Sequence, residues 1–222
     1  HSLAIDWKSF DIGKSESVRF NQPSSSSAVL NRVLNKTPSS ILGKLQANGR
    51  VFIQNQAGIV IGKGARVNVG SLFATSLDIS TDDFMSGRYR FAASGDNPGA
   101  IINQGLIQAT KGGSVTLVGG HVANEGIIVA EMGQVNLASG RTAMVAFDES
   151  GLLQFRVDED ILVNPDGKED QVSNSGEIRA PGGQVTLTAR AANRIFDRAV
   201  NNAGIIRAGR IEKKGGKVML TG

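Results

Sequence analysis

Cysteine is absent from the 222-residue sequence, and only two histidines are present. The absence of cysteine excludes a disulfide framework and any metal site with thiolate ligands. The two histidines, His1 and His121, provide little material for a histidine-based catalytic or metal centre. Proline is also scarce, at 5 residues beside 28 glycines. Glycine without proline predicts many tight backbone turns rather than collagen or a disordered linker.

A strong charge imbalance and a long apolar run are missing as well. The 24 basic and 20 acidic side chains leave a net charge of +4, and no block of five like charges occurs, so we predict no nucleic-acid partner. No stretch reaches the 18 apolar residues that indicate a transmembrane helix. Residues 1–10 lack the basic and apolar regions of a signal peptide. If the protein is exported, we expect its signal to have been removed or left out.

A phrase that begins with Asn-x-Gly recurs along the second half of the chain. It reads ANEGIIVAEMGQVNLAS at 123–139 and SNSGEIRAPGGQVTLTA at 173–189. Each copy has Ile or Val two positions before the asparagine, Ile four positions after it, then Ala, a glycine turn and Val-x-Leu. The asparagines that align are Asn103, Asn124, Asn174 and Asn202.

Apolar residues alternate with a period of two within each short run, which is typical of strands. The first two copies lie about 20 residues apart, a spacing that suits one coil of a β-solenoid. Equivalent residues of successive coils stack in such a fold, so the Ile and Val columns would form a continuous interior. The stacked asparagines are predicted to hydrogen-bond one another as a structural ladder. The repeat therefore predicts an all-β fold, a parallel β-helix.

Two insertions interrupt the repeat. Residues 144–157 are predicted to form a hairpin around a turn at 148–151, projecting from the helix wall, and an acidic loop follows. A smaller insertion is expected at 210–214, and residues 84–94 are predicted to form another short strand pair or excursion. Because the sequence stops at a Val-x-Leu strand with no polar cap, we expect a fragment of a longer protein.

Catalytic motifs are largely missing from the sequence, which has no G-x-S-x-G elbow, P-loop or H-E-x-x-H segment. Carboxylates cluster at Asp82 and Asp83 and at Asp158 and Asp160. A carbohydrate-active enzyme would have to use those side chains, and it remains a minor alternative. The acidic loop at 158–170 could offer oxygen ligands to calcium, but its spacing does not match an EF-hand. We predict no catalytic residues, no metal and no cofactor.

The N-terminal third carries the most specific signal. Its ordered, closely spaced segments are IDWKSFDIG (5–13), FNQPSSSSAVLNRV (20–33), GKLQANGRVFI (43–53), GKGARVNVG (62–70) and ATSLDIS (74–80). Together they closely resemble the two-partner secretion (TPS) domain at the head of filamentous haemagglutinin-like exoproteins, which are bacterial adhesins and cytolysins. The resemblance is strong over 5–80, and the later repeats and hairpin agree with the architecture of that family.

The resemblance implies a right-handed parallel β-helix with an extra-helical β-hairpin. It implies an N-terminal cap that is partial here, because most of the stretch that usually precedes residue 5 is lacking. It also implies export through the periplasm and outer membrane to the cell surface or medium, after recognition by the POTRA domains of a TpsB-type transporter. We expect a single TPS domain over 1–222, with the cap and first coils at 1–50, coils at 51–140, the hairpin and loop at 141–171, and coils at 172–222.

The Asn-Pro-Asn-Gly signature usual in the family is replaced here by Asn-Gln-Ala-Gly at 55–58. We expect a turn there that is less rigid without its proline. The residues predicted to serve transporter recognition, or to hold the motif that does, are Asn21, Gln22, Pro23, Asn31, Arg32, Asn48, Gly49, Asn55 and Gly58. The alternative function is a surface adhesin that binds a host glycan or protein directly and depends on the hairpin at 144–157.

Overall fold

The chain winds into a parallel β-helix whose strands stack in three long sheets. The computed structural model describes residues 1–147, 153–164, 167–192, 195–208 and 217–221. Strands of successive coils pair in parallel, so each coil supplies hydrogen bonds to the coils on both sides of it. The fold predicted from the Asn-x-Gly repeat is confirmed.

The elements follow the coils in chain order. They are β1 (Ser2–Trp7), β2 (Ser17–Phe20), β3 (Ala28–Val33), β4 (Ser39–Ile41), β5 (Lys44–Ala47), β6 (Arg50–Asn55), β7 (Gly58–Ile61), β8 (Arg66–Val69), β9 (Ser71–Thr75), α1 (Thr81–Met85), β10 (Tyr89–Ala92), β11 (Ala100–Asn103), β12 (Leu106–Ala109), β13 (Ser114–Gly119), β14 (His121–Asn124), β15 (Ile127–Val129), β16 (Gln134–Ser139), β17 (Thr142–Phe147), β18 (Leu153–Asp158), β19 (Asp170–Asn174), β20 (Glu177–Arg179), β21 (Gln184–Ala189), β22 (Arg198–Asn202), β23 (Ile205–Arg207) and β24 (Lys217–Thr221).

Four sheets contain these strands. Sheet A has the order β1-β3-β6-β9-β13-β16-β21-β24, sheet B has β22-β19-β14-β11-β7-β4, and sheet C has β2-β5-β8-β12-β15-β20-β23. The fourth sheet, β10-β17-β18, is antiparallel and lies outside the helix. A typical coil therefore visits sheets A, B and C in turn, and the segments that leave this path are the excursions predicted at 84–94 and 144–157.

The interior of the helix consists of aliphatic columns in the register that the repeat predicts. Ile101 pairs with Val122, which pairs with Val172, and all three side chains are fully buried. The Ile column of sheet C and the Val-x-Leu columns of sheet A repeat the pattern. A slip of one residue would turn a whole strand inside out, so this alternation fixes the register.

The glycines of the Asn-x-Gly phrases stand at a corner where the backbones of successive coils approach closely. A Cβ built on Gly126 would lie 2.2 Å from the carbonyl oxygen of Gly105, and one on Gly176 would lie 2.1 Å from that of Gly126. These distances are far below van der Waals contact, so the stack admits only glycine at this corner. Neither Gly126 nor Gly176 has a positive φ. Glycine is required there because the backbones approach so closely.

The N-terminal end of the helix is closed by aromatic side chains of the first coil. The Trp7 and Phe10 rings lie 5.4 Å apart between centroids, and Phe10 is 4% exposed. Phe20 packs against the same interior core from β2. Residues at the start of the chain therefore supply the apolar cover that a β-helix end requires, in agreement with the predicted partial cap.

A second hydrophobic core lies on the outer face of sheet A. Phe52 and Phe73 point outward there, and α1, β10 and the β17–β18 hairpin cover them. The Phe73 and Phe91 ring centroids are 4.6 Å apart, and Phe52 and Phe84 meet edge to face at 5.1 Å. This cover exists because β3, β6 and β9 carry apolar residues on both faces, so their outer face also has to be buried.

The second core corrects one prediction and narrows another. The hairpin is present, but its described strands pack on sheet A instead of projecting from the wall. Residues 84–94 form the predicted excursion rather than a strand pair of their own: they contain the end of α1 and the strand β10, which pairs with β17. Both excursions pack on Phe52 and Phe73, which face outward from sheet A. Short-range sequence patterns do not reveal such contacts between distant segments. The turn predicted at 148–151 and the insertion at 210–214 lie outside the described residues.

Candidate functional site

The four asparagines of the repeat form a continuous hydrogen-bonded column. Nδ2 of Asn103 donates to Oδ1 of Asn124 at 2.8 Å, and Nδ2 of Asn124 donates to Oδ1 of Asn174 at 2.7 Å. The last link runs from Asn174 to Oδ1 of Asn202, also at 2.7 Å. The first three are buried and Asn202 is exposed. Each coil of the repeat is therefore linked to the next through these amides.

Gln22, Asn48 and Gly49 come together at a corner between sheets C and A. The backbone N–H of Gln22 donates to Oδ1 of Asn48, and Nδ2 of Asn48 donates to the Gln22 carbonyl, each at 2.7 Å. The Gln22 side chain accepts from the Gly49 N–H at 3.0 Å and donates to the Ser27 carbonyl at 2.8 Å. A Cβ on Gly49 would lie 2.7 Å from the Gln22 amide. Asn21 and Pro23 stand exposed beside this corner.

Asn31 and Arg32 are neighbours on β3 and face opposite sides of sheet A. Asn31 is fully buried in the interior, where it accepts from Nε1 of Trp7 at 3.0 Å. Arg32 faces outward and holds Asp6 with two hydrogen bonds of 2.8 and 2.9 Å. It also donates to Oγ1 of Thr81 at 2.8 Å. The hydrogen bond with Asp6 raises the pKa of Arg32 against the opposing effect of burial.

The Asn55–Gly58 turn connects β6 of sheet A to β7 of sheet B. The buried Asn55 side chain donates to the Thr37 carbonyl at 2.9 Å and to Oγ of Ser39 at 3.0 Å. Its Oδ1 accepts from the N–H of Ala57 at 2.9 Å, which closes an Asx turn. Gly58 has a φ of 113°, and a Cβ there would lie 2.6 Å from the Ala100 carbonyl oxygen. Asn55 and Gly58 thus hold the turn without the family's proline.

The predicted recognition residues therefore do not form one exposed surface. Asn31, Asn55, Gly49 and Gly58 are buried and shape the backbone around them. Of these, Asn55 and Gly58 shape the A–B corner, which borders an open groove with a volume of about 610 Å³ that we term the Gln54 groove. Its walls are the loops after β3, β6 and β10, and its lining includes Arg32, Leu34, Asn35, Lys36, Gln54, Gln56, Asp78, Ser94 and Asn97.

Gln54 is the residue of this region that motif reasoning missed. It is 1% exposed, and its Oε1 accepts no hydrogen bond within the part of the chain that the structure describes. The available signal was its place in RVFIQN, where it takes an outward position two residues after the outward-facing Phe52. A polar residue at such a position, in a strand that is otherwise apolar on both faces, marks where the cover of sheet A ends and a groove begins.

Three of the four carboxylates considered for catalysis, those of Asp83, Asp158 and Asp160, form ion pairs with arginines. Oδ1 of Asp83 lies 2.9 Å from Nε of Arg88, and Asp158 lies 2.6 Å from Arg156. The hydrogen bond from Arg88 lowers the pKa of Asp83. No group of three His, Cys, Asp or Glu side chains that could hold a metal ion occurs among the described residues. Asp166, one of the acidic-loop residues considered for calcium, lies outside that part of the chain.

The model of the TPS secretion domain family matches residues 1–222, the whole chain. The chain belongs to this family. The family is one of secretion domains of exoproteins and is not a family of enzymes. Among the residues that the structure describes, no helix is both long enough and apolar enough to span a bilayer.

Named relatives and a solved structure agree with this assignment. The chain is 36% identical over 225 residues to a heme/hemopexin-binding protein of Haemophilus influenzae, a match that covers 98% of the chain and 24% of the relative. A second heme/hemopexin-binding protein of H. influenzae is 33% identical over 238 residues. The chain spans about a quarter of these relatives, at 24% and 25% of their lengths. The crystal structure of the HMW1 secretion domain of H. influenzae matches 99% of the chain and 56% of its own, with a TM-score of 0.83 and 32% identity.

Proposed function

We propose that residues 1–222 act as one secretion-targeting domain, recognised in the periplasm by the POTRA domains of an outer-membrane TpsB-type transporter. The transporter would then pass the exoprotein to the cell surface or the medium. The observation that carries this proposal is the match of the whole chain to the TPS secretion domain, together with its structural similarity to the HMW1 secretion domain.

Strand addition is the physical mode that we propose for this recognition. The first strands of sheets A and C, β1 and β2, are end strands that pair on one side, whereas the end strand of sheet B, β4, is covered by a parallel bridge from Ile12 to Ile41. End strands offer main-chain donors and acceptors to an incoming strand, which gives affinity without deep pockets. The segment we expect the transporter to contact includes the exposed Asn21 and Pro23 and the corner held by Asn48 and Gly49.

Secretion of this segment tests the proposal. Residues 1–222 are placed behind a signal peptide and expressed with and without the transporter encoded beside the native gene. We expect the protein in the medium only when the transporter is present. Secretion that ignores the transporter, or retention in the periplasm in both strains, would contradict targeting and favour the adhesin alternative.

The share of the Asn55 turn in recognition needs a matched control, because Asn55 is buried. Asn55→Ala should lower transporter-dependent secretion more than Asn103→Ala, which removes an equally buried asparagine from the ladder. Equal secretion of the two variants, compared at equal periplasmic amounts of folded protein, would indicate that the turn contributes only to folding.

A second candidate function is favoured by the names of the relatives, which bind heme or hemopexin. We propose that the exoprotein containing this domain also binds heme or hemopexin. This is one form of the adhesin alternative, in which the exoprotein binds a host protein directly. Titration of the 222-residue chain with hemopexin, and separately with hemin, measures whether any such binding resides in this segment. The adhesin alternative predicts that binding is lost on Met144→Ser, which changes the exposed face of the β17–β18 hairpin.

A further inference from the structure

Asn48 is the one asparagine of the sequence that is followed by glycine. Asparagine is a thermolabile residue type, because the next main-chain nitrogen can attack its side-chain carbonyl carbon. The attack is easiest before glycine, which has no Cβ to hinder it and whose backbone turns freely. Asn48 is also exposed, so solvent reaches it and burial does not protect it. By its sequence, Asn48-Gly49 is therefore the most reactive asparagine site of the chain.

Deamidation at this site needs no reactant other than water. In the first step the nitrogen of Gly49 forms a bond to Cγ of Asn48 and the Cγ–Nδ2 bond breaks. Nδ2 leaves as ammonia, together with the proton of the Gly49 amide. Water then opens the cyclic imide at either of its carbonyl carbons. The product is aspartate or isoaspartate at position 48, and nothing is oxidised or reduced.

The corner between sheets C and A uses both residues of the reactive pair. Asn48 accepts from the Gln22 N–H and donates to the Gln22 carbonyl, each at 2.7 Å, so its side chain serves as acceptor and donor at once. A Cβ on Gly49 would lie 2.7 Å from the Ser27 carbonyl oxygen. An ionised aspartate at 48 has no donor for the Gln22 carbonyl, and a larger residue at 49 has no room. The corner therefore keeps a pair that is reactive in the unfolded chain.

The same contacts oppose deamidation in the folded chain. The bonds to Gln22 hold the Asn48 amide against the neighbouring coil, and they have to break before the Gly49 nitrogen can attack Cγ. The Gly49 N–H donates to Oε1 of Gln22 at 3.0 Å, and a hydrogen bond from the neutral N–H disfavours loss of its proton. The reaction therefore requires a local opening of the corner, whereas the unfolded chain has none of these bonds.

We propose that Asn48 is a modification site, deamidated while the chain is unfolded and protected by Gln22 once the first coils have formed. The product carries a negative charge where the Asn48 amide donates to the Gln22 carbonyl, so the modified chain forms a weaker corner. Deamidation thereby marks chains that have stayed unfolded for long. This inference does not rest on recognition by a transporter, although the corner lies in the segment that we expect the transporter to contact.

The unchanged chain provides the first test, with no substitution involved. It is incubated at one pH and one temperature in buffer and in guanidinium chloride, and peptide mapping by mass spectrometry follows deamidation at Asn48. We expect the folded chain to react more slowly by about tenfold or more. Asn21 is the internal control, because it is exposed but precedes glutamine, and it should stay intact in both samples. Equal rates at Asn48 in the two samples would overturn the proposed protection.

Two substitutions assign the effect to the corner. Gln22→Met removes the acceptor of the Gly49 N–H, so deamidation in buffer should approach the rate found in denaturant. Asn48→Asp, the aspartate product, should lower the melting temperature by about 5 °C. Asn21→Asp is the matched control, since it adds the same charge beside the corner, and it should change the melting temperature by less than about 1 °C.

Either substitution can contradict the proposal. An unchanged deamidation rate in folded Gln22→Met would show that the glutamine does not protect Asn48. Equal melting temperatures of Asn48→Asp and Asn21→Asp would show that the product leaves the corner intact. If Gln22→Met does not fold, the comparison of the unchanged chain in buffer and in denaturant decides whether the fold protects Asn48, and the two aspartate variants decide whether the product weakens the corner.

Discussion

Asn124 uses its side-chain amide in both directions along the helix axis. It accepts from Asn103 at 2.8 Å and donates to Asn174 at 2.7 Å. A carboxylate could only accept, and an alcohol could not span the distance between coils, so an amide suits a repeating buried column. Burying polar side chains at this corner would be costly if they had no partners. The ladder gives them hydrogen bonds to one another.

Asn124→Ala should therefore cost more than its size suggests. The change leaves the Asn103 donor and the Asn174 acceptor buried without partners, which we expect to lower the free energy of unfolding by about 2–4 kcal/mol. Asn202→Ala, at the exposed end of the ladder, should cost less than about 1 kcal/mol. Urea denaturation followed by circular dichroism measures both, and equal losses would indicate that the ladder bonds contribute little.

His121 predicts a dependence of stability on pH. Burial lowers its pKa in the folded chain below the ordinary value of 6.5, although hydrogen bonding to the Asp170 carbonyl opposes the shift. As the pH falls through 6.5, the unfolded chain takes up the proton first, so this contribution to stability is complete above that pH and is lost below it. Unfolding free energies at about pH 7.5 and about pH 5.5 should differ less in His121→Gln than in the unchanged chain. An identical difference in both proteins would contradict this assignment.

At the scale of the element, the strands of sheet A explain why the excursions lie where they do. β6 carries Val51 and Ile53 toward the interior and Phe52 toward the outer core. Both faces of this part of sheet A therefore need cover, and α1, β10 and the hairpin supply it. Toward the end of β6, the outward residue changes from Phe52 to Gln54, and there the cover gives way to the groove.

Phe91→Ala tests whether the two cores are separate. Phe91 is 2% exposed and stacks on Phe73, so its removal should cost about 3–5 kcal/mol. The loss should fall on the outer core, because the aliphatic interior makes no use of this ring. We expect increased binding of a hydrophobic dye with the far-ultraviolet β-sheet signal retained. Loss of the β-sheet signal at the same temperature would show that the outer core is required for the helix itself.

The sequence predicts the elements of the repeat well and those of the outer core poorly, for a physical reason. Asn-x-Gly and Val-x-Leu are local patterns that recur, so the fold, the ladder and the register follow from alignment within the chain. The pairing of β10 with β17 joins residues about 50 positions apart and leaves no local pattern. At the site, motifs reveal Asn48 and Asn55, whereas Gln54 becomes visible only when burial and hydrogen-bond partners are known.

At the scale of the whole molecule, the coils act on one another through their spacing. Each coil is held by strands above and below, so stability is set largely by contacts between neighbours along a single axis. The glycine corner fixes how closely the backbones can approach. The space at Gly126 is accordingly bounded by the Gly105 carbonyl of the coil before it, and the Gly126 carbonyl bounds the space at Gly176 in the coil after it.

Gly126→Ala should disturb the stack on both sides of the change. The added Cβ would meet the Gly105 carbonyl oxygen at 2.2 Å, which neighbouring coils can relieve only by moving apart. We expect a loss of about 3 kcal/mol or more in the free energy of unfolding. Gly95→Ala is the control, since no atom of the described residues lies within 4 Å of a Cβ built there, and it should change stability by less than about 1 kcal/mol. Hydrogen exchange locates the effect: faster exchange in β12 and β20 as well as β15 would show that strain passes between coils, whereas faster exchange in β15 alone would show that each coil absorbs its own.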